Sequence, residues 1–324
     1  MAVIIFPPET DLEYYRKLYP ELNAYNDSDL EKHCQQFAAA QGRSTCAYDR
    51  RENLRDILQQ VIDKKSLKVL EISPWDDPFV HGDNVKYFEI MDIDDLCRTT
   101  VDVKRKLARL PEKIHFIGKN GDLSVVNEKF DIVFSSHVIE HTPDLVEHLR
   151  GVTEILKDGG LYVMLIPDKR YCFDYYNPET TISDVLDAFA HKRKIPNLSD
   201  VINFVYTRTH NNPTLHWQGF HGERWGYRDK PPADNDARVA ITGKYFFDDG
   251  KSVSFKKLAD LVEHYAAALK QGQYFSVHSW RFTPESFKYI INVLNKLNII
   301  KLPVYRLCHT IRGRCEFIAM LEKV

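Results

Sequence analysis

The stretch FDIVFSSHVIEHTPDLVEHLRGVTEILKDGGLYVMLIP, residues 130–167, predicts a strand, a helix and a second strand. The runs FDIVFS (130–135) and LYVMLIP (161–167) are almost wholly apolar, which is typical of strands covered on both faces of a parallel sheet. Between them, apolar residues recur at helical spacing over 142–156. The sequence Asp158-Gly159-Gly160 then predicts a left-handed turn that ends this helix.

The same pattern extends in both directions from this unit. Three more strands are predicted before it, and a capped helix followed by two strands is predicted after it. Alternation of short apolar strands with helices indicates an α/β fold with a parallel sheet. The predicted elements are the strands KVLEI (68–72), VKYFEI (85–90), IHFI (114–117), 299–307 and 315–322, and the helix FTPESFKYIINVLNKL (282–297) with Thr283 as its cap.

The chain divides into three parts. Residues 1–50 predict a small helical segment, in which Ser28 caps a helix over 29–41 that ends at Gly42. The core is expected over 51–168 and 283–324. The remaining part, 169–282, is rich in aromatic residues and histidine, and it shows no helical period before 254–270. Segments of this length within a compact domain are usually functional, so we expect an insertion that recognises the substrate.

Composition excludes several classes of protein. Among 324 residues, 44 Lys and Arg face 46 Asp and Glu, so the basic surface of a nucleic-acid binder is not expected. The longest apolar run is far shorter than a membrane-spanning helix, and the N-terminus is not a secretion signal. The six cysteines are scattered, which predicts reduced thiols in a cytoplasmic protein. Cys308 and Cys315 could form a disulfide or bind a metal, but two strand residues near a turn is the favoured interpretation.

Polar residues follow the predicted strands. The first strand runs into Glu71 and the loop 73–78, and the second ends at Glu89, eighteen residues beyond Glu71. Asp122 precedes the fourth strand, and Ser136 follows it. Because open parallel sheets bind ligands at the carboxyl ends of their strands, these residues predict a ligand site there. An acid at the position of Glu89 suits the hydroxyls of a ribose, and Asp92 is its rival.

The segments VLEISPWDDP, YFEI, GDLSVVNEKFDIVFSSHVIEH and LKDGGLYVMLIP resemble class I S-adenosylmethionine-dependent methyltransferases of the type 11 kind over 68–167. The resemblance implies a doubly wound Rossmann-like sheet, mostly parallel with its last strand antiparallel, and S-adenosylmethionine as cofactor. The first loop departs from the family, because Ser73, Trp75 and Asp77 stand where glycines usually let the backbone approach the cofactor. The segments SSHVIEHTPDL, IPDKRYCFDYYNPETT and DLEYYRKLYPEL also resemble the sequences of methyltransferases found with polysaccharide and glycosyl-transfer functions.

The resemblance also implies roles for individual residues. Glu89 would accept hydrogen bonds from the ribose, and Asp122, with the Leu123 amide, would hold the adenine. Glu71 would orient the first loop. The other predicted cofactor contacts are Ser73, Pro74 and Ser136. The alternative interpretation is that each of these carboxylates lies at a solvent-exposed strand end or caps a helix.

Methyl transfer is an in-line displacement, so positioning the acceptor supplies much of the rate. A neutral alcohol acceptor also requires a base, for which histidine is best suited near neutral pH. His137 is the first candidate, followed by His141 and His278. Aromatic faces and polar tips suit a carbohydrate acceptor. The predicted substrate-binding residues are Asp168, Arg170, His216, Trp217 and His221.

No metal is predicted. His210, His216 and His221 lack a carboxylate partner, and Glu140 with His141 is a similarly weak pair. The predicted function is O-methylation of a sugar or polysaccharide, with a protein partner at the N-terminal helices as a further possibility. The alternatives are a non-catalytic module of the same fold and a nicotinamide-dependent oxidoreductase, although G-x-G-x-x-G is absent after the first strand. A glycosyltransferase has only the acidic stretch 92–95 in its favour.

Overall fold

The computed structural model describes residues 6, 10–102, 110–221 and 255–324. Its centre is a seven-stranded sheet in the order β3-β2-β1-β4-β5-β7-β6. Strands β1 to β5 are parallel, and β7 runs antiparallel between β5 and β6. The predicted fold class is therefore confirmed. The strands are β1 (Val69–Ile72), β2 (Val85–Glu89), β3 (Phe116–Ile117), β4 (Phe130–Ser136), β5 (Leu156–Pro167), β6 (Val304–Cys308) and β7 (Glu316–Glu322).

Helices cover both faces of the sheet. The described α-helices are α1 (Leu12–Leu18), α2 (Asp27–His33), α3 (Ala39–Gln41), α4 (Arg51–Lys65), α5 (Ile93–Asp102), α6 (Leu145–Ile155), α7 (Ile182–Ala190), α8 (Leu198–Tyr206), α9 (Pro213–Trp217), α10 (Phe255–Lys270) and α11 (Pro284–Lys296). Alternate residues of each strand point to opposite faces. Val133 of β4 accordingly packs in the core formed with α6 and α11, and its neighbour Ile132 packs in the core formed with α4.

The connection between α6 and β5 differs from the prediction. Helix α6 ends at Ile155, and Leu156 is already extended, with φ −82° and ψ 145°. Gly159 does have a positive φ of 71°, but it lies inside β5 and does not end the helix. The pairing of β4 with β5 shifts register between Phe130 and Ile132, so the glycine accommodates an irregular strand. The prediction of a helix-ending turn there is wrong.

The insertion contains helices that the apolar spacing does not predict. Helices α7, α8 and α9 lie between 182 and 217, and each begins with a side-chain cap, namely Thr181, Asn197 and Asn212. Helix α8 packs against α10 through a small apolar core that includes Phe204 and Tyr265. These helices are short, so their hydrophobic faces are too brief for a clear period.

The N-terminal helices have a small core of their own and also contact the sheet domain. Asn26, not Ser28, caps α2, which continues through a π-helical turn over Cys34–Ala38 into α3. Gly42 ends α3 at φ 62°, and its carbonyl accepts from the Arg312 amide at 2.8 Å. A Cβ on Gly42 would lie only 2.5 Å from Trp217, so this contact requires glycine.

All six cysteines lie in the described part of the chain and are free thiols, including Cys308 and Cys315. Cys308 instead lies near Cys46, with 3.6 Å between their sulfurs. Within the described ranges, we find no helix whose length and apolar character would let it cross a membrane.

Candidate functional site

A cleft of about 1840 Å³ opens at the carboxyl ends of the parallel strands. It lies where the strand order reverses between β1 and β4, the usual ligand position in a doubly wound sheet. Its volume exceeds the range of roughly 300–1,000 Å³ that holds one small ligand. The predicted catalytic and cofactor-binding residues all line it: Glu71, Ser73, Pro74, Glu89, Asp122, Leu123, Ser136, His137, His141 and His278.

The loop after β1 keeps an unusual backbone without glycine. Ser73 and Trp75 have φ values of 53° and 46°, in the left-handed region that glycine normally occupies. Both therefore reproduce the backbone conformation expected of a glycine-rich loop, and the half-buried Trp75 forms part of the cleft wall. Glu71 holds the far end of the loop by accepting from the amides of Phe79, at 2.8 and 2.9 Å, and Val80, at 3.2 Å. Burial raises the pKa of Glu71 to about 8.

Glu89 joins the ends of β1 and β2. Its Oε1 accepts from the Ser73 hydroxyl and from the Ile90 amide, both at 2.9 Å. The side chain is only 4% exposed, and burial raises its pKa. Its rival Asp92 is exposed, is not among the residues that line the cleft, and accepts from the Asp95 amide at the start of α5. The structure therefore favours Glu89 over Asp92 as the strand-end acid of the site.

Asp122 and Leu123 form the next part of the rim. Asp122 is exposed and accepts from the Ser124 amide at 2.9 Å, and this hydrogen bond lowers the pKa of the carboxyl group. The Leu123 side chain is buried in the core beside α6, so a ligand would meet mainly its backbone. The Asp122 carboxylate can accept hydrogen bonds from a ligand, and the main chain of Leu123 lies beside it.

His137 follows β4 with a φ of 56°. Its Nε2 lies 2.8 Å from Oε2 of Glu316, the first residue of β7. Burial lowers the pKa of His137, but the hydrogen bond and negative charge of Glu316, with Glu140, outweigh burial and raise it overall. Beside it, Arg51 donates to the Ser136 hydroxyl at 2.7 Å. A histidine held by a carboxylate and facing a cleft is the arrangement of a general base.

Glu140, His141 and His278 lie together on the other side of His137. His141 Nε2 and His278 Nε2 are each 3.9 Å from Oε1 of Glu140, and His137 Nδ1 is 3.6 Å from the same oxygen. Glu140 is fully buried, and burial raises its pKa. The opposite nitrogen of His278 is 2.5 Å from Asp174. His278, a residue from the insertion, thus enters the cleft beside Glu140 and His141, the fourth and fifth residues after β4.

The predicted substrate-binding residues do not line the cleft. Asp168 is completely buried and is bound by Arg170 and by the Thr310 hydroxyl. These contacts tie the end of β5 to its surroundings, so Asp168 and Arg170 have a structural role here. That these two residues hold the acceptor stays a prediction.

The insertion histidines also make internal contacts. His216 Nδ1 lies 3.1 Å from His221 Nδ1, and its Nε2 lies 3.0 Å from the His210 carbonyl. Trp217 stacks on Tyr171 at 3.9 Å, and His221 stacks on Tyr175 at 3.6 Å. One face of the Trp217 ring and one face of the His221 ring are therefore covered by another ring, and the role of His216, Trp217 and His221 in binding a substrate stays a prediction.

Several cleft residues have no sequence signal. Arg51 of helix α4 and Tyr274 of the insertion line the cleft, and Glu316 of the last strand contacts the cleft residue His137. Tyr274 donates to the His141 carbonyl at 3.2 Å. Each of these residues belongs to a segment whose local pattern is typical of ordinary secondary structure or loop, so only the folded chain shows that they lie in the cleft or beside it.

Comparison with known proteins agrees with this geometry. Residues 86–164 match a family model described as a methyltransferase domain. The chain carries a methyltransferase domain. The cofactor of this methyltransferase domain is S-adenosylmethionine, as the sequence predicts, and the residues at the ends of β1, β2 and β4 fit it. No curated protein matches the chain.

Solved structures similar to this chain include an S-adenosylmethionine-dependent methyltransferase from Clostridium acetobutylicum, at 12% identity and a TM-score of 0.28. That match covers 48% of this chain and 62% of the other. A protein from Pyrococcus horikoshii matches at 12% identity and a TM-score of 0.37, over 96% and 99% of the two chains. DesVI from Streptomyces venezuelae matches at 17% identity and a TM-score of 0.26, over 42% and 54%. The assignment of the domain rests on the match of residues 86–164.

Proposed function

We propose that this methyltransferase transfers the methyl group of S-adenosylmethionine to a hydroxyl oxygen of a sugar or polysaccharide. The observation that carries the proposal is the position of His137, which lines the cleft while Glu316 holds its Nε2 at 2.8 Å. When bound, S-adenosylmethionine supplies a methyl group on a positively charged sulfur. The chain must then hold the acceptor and remove one proton from it.

Different residues bind the cofactor and remove the proton. Glu89, Asp122 and the Leu123 amide would bind the ribose and adenine, which is supported by their position in the lining of the cleft with the loop at Ser73. When His137 Nε2–H donates to Glu316, Nδ1 carries the lone pair. His137 Nδ1 would accept the proton that the acceptor hydroxyl loses as its oxygen takes the methyl group. The bond between the methyl carbon and sulfur would break at the same time, and its electron pair would stay on the sulfur as a neutral thioether. Glu316 stabilises the imidazolium that results, because it is an adjacent carboxylate.

The sugar class is supported by the wall of the cleft that the insertion contributes. The lining there combines aromatic rings with several hydrogen-bonding groups, which suits a polyhydroxylated ring with apolar faces. The volume of the cleft leaves room for an acceptor beside the cofactor. The residues of this wall are Phe173, Arg193, Lys194, Asn211, Tyr274 and Ser276.

Transfer of a labelled methyl group to a panel of free sugars and oligosaccharides, with phenols and amines as comparison acceptors, tests the proposal. We expect transfer to a saccharide, and we expect His137→Ala to lower turnover roughly 100-fold or more while the affinity for S-adenosylhomocysteine is kept. His191→Ala, at an exposed helix end, is the matched control. Binding of S-adenosylhomocysteine without transfer to any acceptor would instead favour a non-catalytic module, and transfer only to amines or phenols would exclude the sugar.

Two further proposals concern the setting of the enzyme. The segments that connect helices α1 to α3 carry exposed aromatic side chains, Tyr25 before α2 and Phe37 in the π-helical turn, and we propose this region as the place where a protein partner binds. A cytoplasmic location is supported by six free thiols, which reducing compartments maintain.

A further inference from the structure

Glu140 is a fully buried carboxyl group beside the proposed acceptor position. It lies in the 3₁₀ turn Ile139–His141 directly after β4 and has no exposed surface. Among the described residues, no hydrogen-bond donor reaches either of its carboxylate oxygens. A buried carboxylate without donors is costly, and such groups in proteins are normally paired or coordinate a metal ion.

The groups that surround this carboxylate are metal ligands. The ligand atoms of Glu140, His141 and His278 all lie within 4.8 Å of one another. The two Nε2 atoms are each 3.9 Å from Oε1 of Glu140, which is too long for a hydrogen bond. Ligands bound to a tetrahedral zinc ion at about 2.1 Å are roughly 3.4 Å apart, so small side-chain movements would bring the three into coordination.

The far side of each histidine is held in the way that metal-binding histidines are held. His278 Nδ1 lies 2.5 Å from Asp174, which is itself fixed by the Asn177 amide at 2.7 Å. His141 Nδ1 lies 3.1 Å from the Val277 carbonyl. A proton shared with these acceptors leaves the lone pair of each Nε2 directed towards Glu140. An outer carboxylate or carbonyl of this kind orients a histidine ligand and raises its basicity.

We propose that Glu140, His141 and His278 bind a divalent transition-metal ion of the zinc class. Two imidazole nitrogens and one carboxylate oxygen are a common ligand set of catalytic zinc, in which the fourth position stays open. All three residues line the cleft, so that position faces the space proposed for the acceptor. The site itself does not depend on the proposed function. The role of the metal ion does rest on the proposed function, because a hydroxyl of the acceptor bound to the ion would lose its proton more readily.

The test is metal binding by the full chain without cofactor or acceptor. After treatment with a chelator, the protein is titrated with Co²⁺ and Zn²⁺, and binding is followed by visible absorption and by competition with a chromophoric chelator. We expect one ion per chain with the absorption of cobalt bound by nitrogen and oxygen. Glu140→Gln, His141→Gln and His278→Gln should each weaken binding at least 10-fold, and Asp174→Asn should weaken it roughly 10-fold.

His216→Gln is the matched control, because His216 is also a buried histidine of a cluster but both its nitrogens have internal partners. Circular dichroism establishes that each variant is folded. If another variant fails to fold, the metal affinity of Glu140→Gln tests the proposal by itself, because this substitution changes the side chain least. The proposal is overturned if the unaltered chain binds no ion, or if Glu140→Gln binds as tightly. A thiolate-to-cobalt charge-transfer band would assign the ion to cysteines and overturn it as well. Cofactor affinity, measured separately by calorimetry, shows whether the methyltransferase assignment fails independently.

Discussion

The Ser73 hydroxyl donates to Glu89 Oε1 over 2.9 Å and so ties a left-handed residue of the first loop to the acid that ends β2. The two residues stand sixteen positions apart, Ser73 directly after β1 and Glu89 at the end of the neighbouring strand β2. The contact fixes the loop against the position proposed for the ribose. A loop without glycine can therefore keep the required backbone, because side chains hold it in place.

Glu89→Ala should weaken the binding of S-adenosylhomocysteine roughly 10- to 100-fold, since a buried hydrogen bond to a charged group contributes about 1.5–3 kcal/mol. Isothermal titration calorimetry measures this. Asp92→Ala is the control and should bind normally, because Asp92 is not among the residues that line the cleft. Equal affinity of Glu89→Ala and the unaltered chain would mean that the ribose is not bound at this residue.

Substitutions of Ser73 distinguish the effect of its backbone conformation on stability from the effect of its hydroxyl group. Ser73→Gly and Ser73→Ala both remove the hydrogen bond to Glu89, but only glycine adopts a φ of 53° without strain. We expect Ser73→Gly to be more stable than Ser73→Ala by about 1 kcal/mol in urea unfolding. If the alanine variant were equally stable, the left-handed conformation would not be required in the folded protein.

His148 should make stability depend on pH. It is 8% exposed, its Nε2 lies 2.8 Å from the Tyr162 hydroxyl, and burial lowers its pKa to about 4 from 6.5. Between these values the unfolded chain binds more protons than the folded one, so stability rises with pH across this window. The contribution present above pH 6.5 is about 3 kcal/mol and is lost as the pH falls to 4.

Urea unfolding of His148→Gln at pH values from 4 to 7.5 measures this contribution, and the slope should decrease in that variant. Tyr162→Phe serves as the control, because it removes the hydrogen bond but keeps the imidazole, and so it should retain the slope. An unchanged slope in His148→Gln would assign the pH dependence to other groups.

We expect Trp217 to affect the stability of the fold and not the KM for the acceptor. It stacks on Tyr171 with an interplanar angle of 6°, and its Nε1 donates to the Arg314 carbonyl at 3.0 Å. Trp217→Ala should therefore destabilise the fold by about 3 kcal/mol, whereas Trp217→Phe keeps a stacked ring and should cost less. Thermal unfolding and the KM for the acceptor separate the two roles. A raised KM with unchanged stability would restore Trp217 as a substrate residue.

Local sequence predicted much of the fold. Apolar runs identified each strand of the sheet, and Thr283 with Pro284 marked the start of α11 correctly. The prediction of secondary structure failed where the local sequence pattern was short or ambiguous. Helices α7 to α9 are too brief to show a period, and the glycines at 159 and 160 suit a helix end as well as the irregular strand that they occupy.

For the site, the sequence by itself determined which strand ends carry polar groups, because a parallel sheet brings those ends to one edge whatever else the chain does. Glu71, Glu89, Asp122 and His137 follow from that rule. Only the tertiary structure decided which distant groups complete them. Glu316 reaches His137 across 179 positions, and His278 reaches Glu140 from the far end of the insertion. Such pairs depend on how β7 and the insertion pack against the sheet, and no local pattern of residues encodes that packing.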